Sequence, residues 1–176
     1  NNGNAWNRDI TYKYLGYDDF YYYKKDYDIT EEETVGLGLS DKEFFKQSLE
    51  IIKGIDKKNN NWYGTLVMLT NHTPFSDIGK VSDYSVDYIT DEVDPETGEN
   101  VVIPWLENTK MGNYLKSVNY ADQAIGELIT GLDEAGLLDD TIIVIYGDHD
   151  CKLKQSEFKK LYESEYYESV LIDKED

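Results

Sequence analysis

Two histidines occur in the 176 residues, and each stands three residues past a run of apolar side chains. His72 follows residues 62–69 (WYGTLVML), and His149 follows residues 141–146 (TIIVIY) within the stretch Gly147-Asp148-His149-Asp150. Neutral imidazole and carboxylate are the usual ligands of Zn²⁺ and Mn²⁺, so Asp148 and His149 read as a metal-binding pair. Gly147 lets the backbone turn sharply and aims that pair over the end of the preceding segment. The plainer reading of either histidine alone is a hydrogen-bonded surface residue beside a common Gly-Asp turn. Their matching placement at two strand ends, with no third histidine in the chain, favours a shared site.

Other residues carry weaker signals. Cys151 is the lone cysteine, which rules out an internal disulfide, and packing suits it better than a nucleophilic role beside His149. Asp91, Glu92, Asp94, Glu96 and Glu99 lack the spacing of a calcium loop and fit a solvated hairpin. Trp6 and Arg8 stand two apart, so both would face one way on extended backbone, a ring and a guanidinium suited to a phosphate oxygen.

The elements that must hold these groups are legible from periodicity. Residues 62–69 and 141–146 are short apolar runs of the kind found in buried strands. Between them, Met111, Tyr114, Leu115, Val118, Ala121, Ile125, Leu128, Ile129 and Leu132 keep helical spacing, with Gly136 placed to end the helix. Strand, long helix and strand predict a βαβ unit with parallel strands and a right-handed crossover. The fold class is therefore α/β, and ligands of open parallel sheets bind outside the carboxyl ends of the strands, where both histidines fall.

Earlier in the chain, Ser40-Asp-Lys-Glu43 fits a capping box, followed by Phe44, Phe45, Leu49, Ile52 and Ile55 on one helical face. Residues 9–39 are rich in tyrosine, which suits short strands and aromatic-packed loops more than a helix. Residues 76–110 are polar and turn-rich. Residues 88–93 and 101–104 flank Asp-Pro-Glu-Thr-Gly, so this stretch reads as an insertion carrying a hairpin within a single domain over 1–176.

A net charge of −19, from 36 acidic against 17 basic residues, disfavours nucleic acid as a partner. An anionic substrate would need a metal or a local arginine to reverse the field. No run approaches the ~18 apolar residues of a membrane span. The opening without Met and the close on LIDKED suggest a piece of something longer, for which the absence of targeting segments says nothing.

The segment NYLKSVNYADQAIGELITGLDEAGLLDDTIIVIYGDHD, with NNGNAWNRDITYKYLGYDDF and LTNHTPF, resembles the lipoteichoic acid synthase-like phosphoglycerol transferases. These lie in the sulfatase-like branch of the alkaline phosphatase superfamily. The GDH element is shared across that superfamily, and WNR followed by NHTPF narrows the likeness to the synthase-like group. The resemblance implies an incomplete alkaline phosphatase/sulfatase-like α/β domain, with a parallel-rich sheet flanked by helices. It implies Asp148 and His149 as metal ligands, with Mn²⁺ as the ion and Zn²⁺ the alternative. It implies His72 as the catalytic and substrate-contacting histidine, and Trp6 and Arg8 as the lining of a phosphoglycerol pocket.

The implied reaction is transfer of glycerophosphate from a phosphatidylglycerol-type phosphodiester by a metal-dependent enzyme. The threonine nucleophile and a glutamate ligand of that family belong upstream and are not encoded here, so these residues alone are expected to be inactive. The implied partners are an anionic phospholipid or glycerophosphate, with membrane contact only through absent parent segments. The implied location is the extracellular face of a bacterial cell membrane. Asp150-Cys151-Lys152 and the following QSEFKKLYESEYYESV depart from the pattern, which leaves open a sulfatase, another phosphodiesterase or an inactive ligand-binding homologue.

Overall fold

The computed structural model describes residues 5–59 and 61–162. The tail from residue 163, which carries the close on LIDKED, lies outside the described residues, as do residues 1–4 of the NNGNAWNRD segment. In chain order the elements are α1 (Arg8–Tyr14), β1 (Thr34–Val35), β2 (Gly38–Leu39), α2 (Asp41–Asp56), β3 (Tyr88–Val93), β4 (Asn100–Ile103), α3 (Lys110–Glu134) and α4 (Gln155–Tyr162).

α3 is the spine. The Thr109 side chain accepts a hydrogen bond from the Gly112 backbone at 2.9 Å and so caps the first turn. The helix ends as its composition predicts. Gly136 takes φ 68°, the Gly136 amide donates to Asp133 and the Leu137 amide donates to Leu132, which closes the last turn. Gly112 has a packing role as well: an added Cβ there would lie 2.1 Å from the Leu106 carbonyl oxygen, so only glycine lets α3 start this close to the preceding turn.

α2 lies against α3, and its apolar face builds one core cluster. Phe44 and Phe45 pack with Leu39 and Ala124, and Leu66 and Met68 join them from the first apolar segment. A second cluster gathers Val86, Leu106 and Met111, with Trp105, Leu115, Leu153 and Phe158 around it. β3 and β4 pair antiparallel in the register Tyr88↔Ile103, with an irregularity before Val93↔Asn100. Asp94 organises their turn, where its Oδ1 accepts from Glu96 at 2.8 Å and Gly98 takes φ 74°.

Three expectations need correction. The capping box does not form: Ser40 precedes α2 without a side-chain cap bond, because its hydroxyl turns to the Tyr120 phenol. Glu43 is taken up by Gln47 and Lys46 instead. The tyrosine-rich stretch opens with a helix, α1, where none is expected, while the short strands β1 and β2 and an aromatic-packed loop follow as expected. Past Gly16 the chain folds back, so that Tyr17 and Phe20 pack on Tyr12 at 5.1 and 5.3 Å. The rings meet across a turn, which needs no strand ladder. Finally, Trp6 and Arg8 are not on extended backbone. Trp6 and Asn7 hold φ 61° and 52°, left-handed backbone that turns the chain into α1, so the spacing of two does not place both side chains on one face.

Residues 62–69 and 141–146 run without helix or turn, as strands would, yet the sheets among the described residues are two antiparallel pairs, β1–β2 and β3–β4. Neither segment is paired with the other. Among the described residues, the backbone groups of 63–68 and 142–146 enter none of the backbone hydrogen bonds that a parallel ladder would supply.

Candidate functional site

The two histidines come together. Their ring centroids lie 6.3 Å apart with the planes at 86°, so the ends of the two unpaired apolar segments converge on one place. Each ring is fixed by its own backbone. His72 Nδ1 lies 2.7 Å from the Thr73 carbonyl, and His149 Nδ1 lies 2.9 Å from the Asp150 carbonyl. A carbonyl accepts only, so both Nδ1 atoms carry the proton and both Nε2 atoms keep a lone pair in the neutral ring. That is the tautomer in which an imidazole binds a metal or takes a proton through Nε2.

Asp148 stands beside its neighbour, with Oδ1 3.6 Å from His149 Nε2. Both side chains are well exposed. The pair fits a divalent cation in donor chemistry, with one hard carboxylate oxygen and one imidazole nitrogen. Two donors do not fill a coordination sphere, and no third His, Cys, Asp or Glu joins them among the described residues. Asp150 contributes its backbone carbonyl to His149, and Cys151 lies against Tyr114.

One face of α3 touches both loops. Lys110, Tyr114 and Ser117 follow one another at helical spacing. The Lys110 ammonium lies 5.8 Å from the centre of the Phe75 ring, beyond His72, and 3.4 Å from the Lys152 carbonyl, beyond His149. Tyr114 packs edge-on against Phe75 at 5.2 Å and hydrogen-bonds Cys151, and burial pushes its phenol up. Ser117, fully buried, directs its hydroxyl to the Asn71 side-chain oxygen at 2.6 Å and the Tyr114 carbonyl at 2.7 Å.

The turn before His72 is held from the other side by α2. Asp41 is fully buried, and its Oδ1 accepts from the Leu69 amide at 2.9 Å and the Thr70 amide at 3.2 Å. The Asp41 amide donates in return to the Thr70 hydroxyl at 2.9 Å. Burial raises this carboxyl above the usual range, and the two backbone amides pull it back down. By local pattern Asp41 reads only as the second residue of a capping box. Its partners lie almost thirty residues away in sequence, which no local pattern reveals.

Trp6 is 86% exposed, and Arg8 forms no ion pair among the described residues. No hydrogen bond or ring contact links either of them to His72 or His149 among the described residues.

The known proteins that this chain is similar to agree with one another. The lipoteichoic acid synthase of Staphylococcus saprophyticus is 37% identical over 144 residues, which is 82% of this chain and 19% of that protein. Lipoteichoic acid synthase 1 of Bacillus subtilis is 36% identical over 144 residues, with the same shares. The crystal structure of the lipoteichoic acid synthase LtaP from Listeria monocytogenes matches with a TM-score of 0.65 at 28% identity, covering 90% of this chain and 36% of that one. The chain thus spans 19% of the length of the curated relatives it matches. The fold is α/β and alkaline phosphatase-like. With a family model described as sulfatase matching residues 1–172, the chain belongs to the sulfatase family.

Proposed function

We propose that this chain forms part of a metal-dependent phosphoglycerol transferase acting on phosphatidylglycerol-type phosphodiesters, the activity its relatives' names suggest. The single observation that carries the reading is the meeting of His72 and His149, 6.3 Å between ring centres, at the ends of two separate segments. Surface histidines so distant in sequence have no reason to converge with both Nε2 lone pairs left available.

In this reading, Asp148 and His149 hold a divalent cation, Mn²⁺ in the first instance, and further ligands come from outside the described residues. The bound cation would supply charge neutralisation at phosphoryl oxygens and activation of the attacking group. His72 meets the phosphodiester through Nε2. There it is placed to exchange a hydrogen bond or a proton with a phosphoryl oxygen or the departing alkoxide. Arg8 and Trp6 line the phosphoglycerol pocket once the chain around them is complete, with the guanidinium suited to two phosphate oxygens. Residues 62–69 and 141–146 are parallel strands of a larger sheet in this assembly, and residues 76–110 are an insertion carrying the β3–β4 hairpin. The site faces the outside of a bacterial cell membrane, where an anionic lipid donor is available.

The test uses the longer protein that contains this chain, assayed for glycerophosphate transfer from phosphatidylglycerol vesicles with Mn²⁺. Asp148→Ala is expected to empty the metal site, and His72→Ala to abolish transfer with metal content unchanged. Metal content that survives Asp148→Ala sinks the ligand assignment. Hydrolysis of an aryl sulfate in place of lipid turnover would move the protein to the sulfatases proper. The 176 residues alone are expected to show negligible turnover, and robust chelator-sensitive phosphodiesterase activity from them would contradict this.

A further inference from the structure

Resting on that reading, we propose that Asp41 and Ser117 are positioning residues for His72, gripping the turn before it from two different helices. The turn at Leu69-Thr70-Asn71 leaves the core and delivers His72 to its meeting with His149. Asp41 of α2 binds the backbone amides of Leu69 and Thr70 through one oxygen. Ser117 of α3 binds the Asn71 side chain. Both are fully buried, where a polar group costs free energy unless it is hydrogen-bonded. The second carboxylate oxygen of Asp41, Oδ2, is buried without a hydrogen-bond partner.

A carboxylate kept in the core with half its acceptors idle is poor design for stability alone. It makes sense if the oxygen that is used must hold two successive amides in a set direction. The arrangement fixes the turn in both dimensions. The amide bonds set its height above α2, and the Ser117–Asn71 bond sets its distance from α3. Because α3 also touches the loop after His149 through Tyr114 and Lys110, the same helix face references both histidines. A shift of about 1 Å in such a frame is enough to cost ~100-fold in rate.

Neither residue touches the substrate in this proposal, so the test reads the turn and the chemistry separately. In the longer protein, Asp41→Ala is expected to speed amide exchange at Leu69 and Thr70 by about 10-fold or more. The same substitution weakens the ring-proton Overhauser contact between His72 and His149. Asp41→Asn keeps the side-chain oxygen as an acceptor, and should hold both signals near those of the unaltered chain. If Asp41→Ala does not fold, Ser117→Ala provides the same reading through loss of the His72–His149 contact.

In the longer protein, Asp41→Ala and Ser117→Ala are expected to lower kcat by about 10-fold with KM and Mn²⁺ content little changed, and Asp41→Asn to restore most of it. Unchanged exchange and an unchanged ring contact in folded Asp41→Ala and Ser117→Ala would overturn the proposal. So would equal loss of kcat in Asp41→Ala and Asp41→Asn, since the second variant keeps the oxygen that holds the turn. The underlying reading fails in a different way: transfer that survives His72→Ala removes the histidine's role while leaving the exchange and ring-contact results intact.

Discussion

Residues 62–69 and 141–146 have similar composition, similar length and the same terminal feature, a histidine three residues on, yet they sit in opposite surroundings. In the first, Leu66 and Met68 pack against Phe44, Phe45 and Ala124, and the segment ends in buried Leu69 and Thr70. In the second, Ile142 is 91% exposed, Val144 73% and Tyr146 75%. The contrast marks which half of the site this chain builds for itself. α2 and α3 cover the first segment and tie its end through Asp41 and Ser117. Nothing among the described residues covers the second, whose side chains have the character of a strand buried on both faces. The side chains at the His72 end are therefore packed by this chain and those at the Asp148–His149 end are not, although the backbone of neither segment is paired in a ladder among the described residues.

That division should show most strongly at the metal. In the longer protein, Asp148→Ala is expected to weaken Mn²⁺ binding by more than ~100-fold, beyond the ~10- to 100-fold typical of residues that merely orient a ligand. Asp41→Asn, on the assembled side, should leave Mn²⁺ affinity unchanged. Calorimetric titration of both variants measures this, and equal losses would mean that the two halves are one unit.

Next in size is the core beneath the first segment. Met68→Ala removes a partly buried side chain from the cluster around Phe44 and Phe45, and should cost about 2 kcal/mol, the low end for such truncations. Urea unfolding of the 176-residue chain reads it directly. A loss below about 0.5 kcal/mol would place Met68 among ordinary surface positions and erase the difference between the two segments.

Asp41 should make itself felt through pH, by a smaller amount. Its folded carboxyl titrates above the ordinary range because burial outweighs the pull of the Leu69 and Thr70 amides. Tyr120 of α3 faces it, and its phenol is raised in turn, by burial first and partly by the Asp41 charge. A carboxyl raised on folding contributes stability below its unfolded pKa, and that contribution fades as pH rises through the folded value. The carboxamide introduced by Asp41→Asn does not titrate. The Tm of Asp41→Asn relative to the unaltered chain should therefore climb as pH moves from about 4 toward neutrality, by about 2–4 °C for each kcal/mol involved. A gap that stays constant with pH would mean that Asp41 titrates alike in both states.

What is legible in the sequence follows the same division. α3 is readable throughout because nine apolar positions keep helical spacing and Gly136 marks its end, and both segment ends can be located from their runs. The convergence of His72 with His149 agrees with the place of each three residues beyond an apolar run, although the two runs are unpaired among the described residues. What stays hidden depends on contacts distant in sequence. Asp41 finds its partners at Leu69 and Thr70, Ser117 finds Asn71, and Ser40 turns to Tyr120 in place of a local cap. The α1 helix escapes a reading by propensity because tyrosine favours strands on average, while here Tyr12 gains more from the rings of Tyr17 and Phe20 across a turn. Pairing of the two segments is the remaining gap. A run of apolar residues records where a strand is buried in the finished sheet, and does not say which chain segments lie beside it.

A substitution with little effect on stability probes that gap most directly. Val144 is 73% exposed, so Val144→Lys should change the unfolding free energy of this chain by less than about 0.5 kcal/mol. An uncovered apolar edge with free amides and carbonyls invites pairing with other copies, and lysine is the residue natural proteins place on edges to prevent it. Sedimentation velocity should therefore show less self-association in Val144→Lys at matched concentration. On the proposed assembly into a larger sheet, the same lysine in the longer protein would cost several-fold more in stability than it does here. Were Val144→Lys instead to destabilise the 176-residue chain as strongly as Met68→Ala, residues 141–146 would be packed by this chain after all, and both histidines would stand on equally finished ground.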